Sequence, residues 1–135
     1  MTPNSRPRGS VVAVAAALVV VLSSCSNEIE SAMSEGCSAL PKMAAAYSVK
    51  DRSAFDEAED QAQRVSFAYF KSLDLTDDLE LSKDAAAAST AYTTLYSAAY
   101  APAESTNGRT VWRGLTLTSS QQEVIDQGLR VCEDY

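Results

Sequence analysis

The sequence predicts an all-α fold, a small up-down-up-down helical bundle. Four stretches carry apolar residues three and four positions apart, the spacing that lines one face of an α-helix. Mostly short polar turns separate them, which makes consecutive helices antiparallel neighbours. The chain has 135 residues and no internal repeat, so one domain accounts for it.

The first stretch, residues 27–47, places Ile29, Met33, Cys37, Leu40, Ala44 and Tyr47 on one face, with Asn27 and Glu30 as its N-terminal cap. Pro41 predicts either a kink or a helix that restarts near Ser38. After the polar Lys50-Asp51-Arg52 connection, Ser53 and Asp56 read as a cap for a second helix. Its stripe is Phe55, Ala58, Ala62, Val65, Tyr69 and Leu73, opposite a solvated face of Glu57, Asp60, Gln61, Arg64 and Lys71. A third helix starts from Thr76 or Asp77 and ends near Tyr100, ahead of Pro102. Leu81, Ala85, Ala88, Tyr92, Leu95 and Ala99 form its buried face. Residues 101–118 form an irregular loop with Pro102, the Asn107-Gly108 turn signal, Gly114 and the single tryptophan, Trp112. The β-branched run 110–118 predicts a short extended segment there. Ser120 with Glu123 is a capping box for the last helix, on which Val124, Ile125, Gly128, Val131 and Cys132 share a face.

Eleven basic against 18 acidic side chains give a net charge of −7. Such a surface repels phosphate, so no nucleic-acid partner is expected. With no histidine in the chain, imidazole bases, Ser-His or Cys-His nucleophile pairs and His metal ligands are excluded. There is no Ser-x-x-Lys, no Gly-x-Ser-x-Gly and no phosphate-cradling glycine loop. No catalytic residue, metal ligand or cofactor is expected, and the chain is read as a non-enzyme.

The N-terminus is organised differently. Residues 1–10 are polar with only basic charges, and Val11 to Leu22 is an unbroken apolar run. At about 1.5 Å per residue that run spans roughly 18 Å, short of the ~30 Å hydrocarbon core. A basic start, a short apolar middle and small residues after it read as a secretory signal. The next residues, Leu22-Ser23-Ser24-Cys25, resemble the lipobox of bacterial lipoprotein precursors. The resemblance covers residues 1–25 alone and names no family for the rest of the chain. It implies cleavage after residue 24 by the lipoprotein-processing enzymes, and a diacylglycerol group on the Cys25 thiol. The acyl chains would then hold the protein on the extracytoplasmic face of a bacterial cell membrane. The chain thus divides into a signal peptide (1–24), a lipidated N-terminus with a tether or first helical turn (25–36) and the bundle (37–135).

Three cysteines allow three pairings. If lipid consumes Cys25, Cys37 and Cys132 remain, and in an oxidising compartment they are expected to bridge. The up-down topology agrees, since it brings the start of the first helix beside the end of the last.

Two further groups of residues are candidates for a site. Asp56, Glu57, Glu59 and Asp60, like Asp77, Asp78 and Glu80, read as helix-start acids on a solvated face rather than cation ligands. Tyr92, Tyr96 and Tyr100 recur every four residues along one helical face. With Trp112 they are the candidate lining of a cleft for an apolar or aromatic ligand. Two functions follow as expectations. The first is a lipid-anchored interaction module that presents a bundle face or the 101–118 loop to an envelope protein; the second is a carrier for a small apolar or aromatic ligand.

Overall fold

The computed structural model describes the backbone of residues 5–100 and 111–135, and the side chains of 27–74, 76–100 and 111–135. Five helical segments follow in order: α1 (Ser5–Ser48), α2 (Arg52–Ala62), α3 (Arg64–Leu75), α4 (Leu79–Ala99) and α5 (Ser119–Cys132). There is no strand among the described residues. The segments α2 and α3 meet at Gln63 and act as one bent arm, so the molecule is an all-α, four-armed bundle with antiparallel neighbours. Cys37 and Cys132 are joined in a disulfide that ties α1 to α5, with their Cα atoms 4.9 Å apart.

The stripes of α1 and α4 account for most of the core. Ile29, Met33, Leu40 and Met43 of α1 are fully buried, as are Ala85, Ala88, Ala91 and Ala99 of α4. Residues 27–36 belong to α1, and Ile29, Ala32 and Met33 already pack in the core, so the helix has no separate start at Asn27. Nor does it restart at Ser38. Pro41 lies on the exposed side of α1, where water can serve the carbonyl that its missing N–H leaves unpaired.

The single long second helix expected from spacing is instead bent. At Gln63 the Ser66 N–H bonds the Gln63 carbonyl (3.0 Å), a tighter i to i+3 pattern, and the Gln63 side-chain amide takes the Asp60 carbonyl (2.9 Å). The bend falls where α1 comes closest. A methyl group built on Gly36 would lie 2.5 Å from Val65 Cγ1 and 2.6 Å from the Val65 backbone nitrogen. Past the bend the buried face rotates. Ala68 and Ser72 turn inward, Tyr69 is half-buried, and Leu73, expected in the core, is exposed. Ser72 satisfies its hydroxyl by donating to the Tyr69 carbonyl at 2.7 Å.

Three caps also differ from expectation. Asp51, not Ser53, caps α2 by accepting from the Ala54 N–H (3.1 Å), and Asp78 caps α4 by accepting from the Leu81 N–H (3.1 Å). Thr76 instead accepts from the Asp78 N–H (3.1 Å). The capping box of α5 is Thr118 with Gln121, not Ser120 with Glu123. In each case the helix begins one or two residues before or after the expected point, where another Ser, Thr or Asp stands ready.

Gly36 and Gly128 set the closeness of the arms. A methyl group on Gly128 would lie 2.3 Å from Ala91 Cβ and 2.9 Å from the Ala87 carbonyl oxygen. Alanine at an ordinary helix-interior glycine stabilises by about 1 kcal/mol. At position 36 overpacking costs roughly 1–3 kcal/mol, and because the clash at 2.6 Å is with the Val65 backbone nitrogen, which cannot swing aside, that cost exceeds the gain. Gly36→Ala is therefore expected to lower the melting temperature, as calorimetry would show. A raised midpoint would mean that α1 and the bent arm do not approach as described.

Candidate functional site

The two ends of the bundle differ. One holds the first core turns of α1, the α3–α4 connection and the C-terminus. There the Tyr135 hydroxyl donates to Asp84 (2.8 Å); burial first, then that bond and the charges of Asp84, Asp78 and Glu30, disfavour its ionisation. The opposite end gathers the end of α1, the start of α2, the end of α4 and residues 111–118, and it is the candidate site.

That end is aromatic. Tyr47, Phe55, Tyr100 and Trp112 surround one another, and Trp112 lies 5.3 Å from Phe55, 5.5 Å from Tyr100 and 6.2 Å from Tyr47, centroid to centroid. Phe55 is fully buried at the centre and Tyr47 nearly so, while Tyr100 and Trp112 are half-buried. Tilted and edge-on rings at these separations suit the quadrupole of each π system. From Tyr100 a ladder runs down α4: Tyr96 lies 5.2 Å from Tyr100, and Tyr92 stacks 6.2 Å from Tyr96. The four expected aromatic residues are thus in contact as a chain. The ladder departs along the flank of the bundle, where Tyr92 also lines an open groove of about 430 Å³ with Arg64, Phe67 and Phe70.

The tyrosine hydroxyls are tied down. Tyr92 donates to Glu59, Tyr100 to Asp56, and Tyr47 to the Leu115 carbonyl. Two of the four α2 carboxylates expected to be merely solvated are therefore acceptors for the ladder. Asp56 also pairs with Arg52 at 3.6 Å. Burial, and then the bond to Glu59, holds the Tyr92 phenol well above its ordinary 10.0; burial and Asp56 raise Tyr100, and burial raises Tyr47. A raised acid pKa keeps the folded state protonated after the unfolded chain has ionised. Stability from these phenols is therefore complete below about pH 10 and lost as pH climbs above it. A melting series up to about pH 11 should show an alkaline fall that Tyr92→Phe makes shallower. An identical fall in both proteins would remove Tyr92 from the explanation.

The segment 111–118 adds no strand; it is irregular and pinned to α4. The Arg113 N–H bonds the Ala99 carbonyl (2.6 Å) and the Leu115 N–H bonds that of Ala98 (3.1 Å). Lys50, at φ +54°, reaches back over the Tyr47 ring at 3.7 Å and donates to the Leu115 carbonyl (3.2 Å). Beside this latch lies a groove of about 350 Å³, open to solvent. Buried Tyr47, Leu95 and Ile125 line it together with Lys50, Thr116 and Leu117. Val49, Val111 and Leu115 are exposed at this same end of the bundle.

Spacing alone assigned Tyr47 and Phe55 to the core stripe, with no sign that they complete a site. The only available signal was the aromatic placement at the end of one helix and the start of the next. The Cys25 side chain and residues 101–110 of the expected loop lie outside the described residues. Among the described residues no group of three His, Cys, Asp or Glu side chains is placed to hold a metal, and no helix is long and apolar enough to cross a membrane. Compared with protein-family models, curated proteins and solved structures, the chain matches none of them.

Proposed function

We propose that this chain is a lipid-anchored envelope protein, fixed to a bacterial membrane through Cys25, whose aromatic end is an interaction module for another envelope protein. The observation that carries the reading is the exposure of Val49, Val111 and Leu115 at the same end of the bundle as an open groove, the end farther from residue 25. A tightly packed alanine-rich core with an exposed apolar rim suits contact with a partner surface. The rest of the surface is acidic, which favours a partner with basic or neutral groups around an apolar centre.

In the test, a photoreactive side chain replaces Leu115 in intact cells. A discrete protein adduct is expected that is absent when the same group replaces Glu57 on the outer face of α2. Equal labelling at both positions, or none, would reject the reading.

The groove beside Tyr47 supports a second reading, a carrier of a small apolar or aromatic ligand, because its volume reaches the lower range of ligand sites. Trp112 lies 6.2 Å from Tyr47, so a ligand that enters should shift its emission. A lipid and metabolite screen with no shift counts against the carrier.

A further inference from the structure

The end of the bundle nearest residue 25 carries an apolar surface that the core does not use. Phe70 and Leu73, one turn apart on α3, are 67% and 59% exposed, Phe70 standing where the flank groove beside Tyr92 runs out toward this end, and Leu79, the first residue of α4, is 72% exposed. Single exposed apolar residues are ordinary. Three of the largest within ten residues, at one end of a small domain, call for a partner surface.

Where that end sits follows from α1. Gly36 packs against Val65, and α3 runs antiparallel to α1 from there, so residues 70–75 lie level with the first core turns of α1. Ile29 is fully buried in the core. It lies four positions along the chain from Cys25, a stretch that even fully extended spans no more than about 14 Å. A chain held by lipid on Cys25 has no long tether, and its α3–α4 end must lie against the bilayer surface.

We infer that Phe70, Leu73 and Leu79 form a second membrane contact, resting in the headgroup layer of a neutral, zwitterionic lipid surface. This rests on the lipid-anchor reading above. Amphipathic surfaces of this size bind weakly on their own but settle readily once a covalent lipid holds them in place. The charge around the patch selects the lipid. Glu28, Glu30, Asp74, Asp77, Asp78 and Glu80 are exposed at the same end and outnumber Lys71 and Lys83, which pairs with Glu80, so the excess carboxylate repels anionic headgroups. The bend at Gln63 produces the patch, since it turns Leu73 out of the core and Ser72 into it.

The test uses the full chain, made in a bacterial host, recovered from its membranes and reconstituted into phosphatidylcholine vesicles with or without brominated acyl chains. Phe70→Trp, Leu73→Trp and Val49→Trp each add one reporter to Trp112. The emission added at 70 and 73 is expected to shift to the blue and to be quenched by bromine. Emission at 49, and that of Trp112 in the parent, should stay unquenched. Partial replacement by phosphatidylglycerol should reduce the quenching at low salt, and high salt should restore it. Membrane-bound protein with unquenched 70 and 73 would overturn the contact and leave the anchor standing. Recovery in the soluble fraction would overturn both. A blue shift that grows with protein concentration and needs no lipid would assign the patch to a second copy of the chain and overturn the inference.

Discussion

Replacing Cys37 and Cys132 together by serine is expected to lower the melting temperature by roughly 15–30 °C, the largest effect of any change considered. The bridge closes a loop over a sequence separation of 95 residues. In the loop-entropy account, freeing that closure releases roughly 4–5 kcal/mol of unfolded-chain entropy. A domain of this size has total stability on the order of 5–15 kcal/mol, so the loss is a large share of it. The position of the bridge adds to the effect. α5 packs chiefly on α4, and its covalent tie to α1 is what closes the bundle. Reduction should therefore release α5 first, together with the 111–118 segment in front of it. Hydrogen exchange on reduced protein would show this as early loss of protection in 119–132 while α1 remains protected. A double variant that melts within a few degrees of the parent would mean that helix packing alone closes the bundle.

Phe55→Ala is expected to cost about 3–5 kcal/mol, the range for deleting a buried aromatic ring. Phe55 is fully buried, with Tyr47, Tyr100 and Trp112 all within about 6 Å of its ring centre. Those neighbours come from α1, the end of α4 and the 111–118 segment, so the void opens where three parts of the chain meet. Trp112 loses the ring it packs on most closely, and its emission should move to the red even in the folded protein. Phe55→Leu keeps most of the volume and should lose much less stability while still moving the emission. Full retention of stability in Phe55→Ala, with unchanged Trp112 emission, would contradict the placement of this cluster.

Much of the architecture can be read from spacing because the core is lined by regular stripes. Ile29 to Tyr47 and Leu81 to Ala99 keep one face inward over their whole length, and the antiparallel order brings Cys37 to Cys132. The bend at Gln63 could not be read in this way. It has no proline or glycine of its own; its counterpart is Gly36 on another helix, and only the packed state brings the two together. Leu73 and Ser72 show the consequence, since a residue with core chemistry faces out and a polar one faces in. The caps were missed for a different reason. Ser, Thr and Asp stand at several adjacent positions before α2, α4 and α5, and each is chemically able to cap. The site was half legible. The four-residue recurrence of Tyr92, Tyr96 and Tyr100 is plain in the sequence, whereas the acceptors Asp56, Glu59 and Leu115 are set by the approach of other elements.

Position 25 links the proposed location of the protein, the orientation of the bundle and the pairing of its other two thiols. Intact mass spectrometry on protein extracted from the membranes of a bacterial host addresses all three. The expected species is a chain beginning at Cys25, heavier by a diacylglyceryl group, and lighter by two hydrogens than its reduced form. A full-length chain with an unmodified thiol at position 25, or one cut elsewhere and free of lipid, would contradict it.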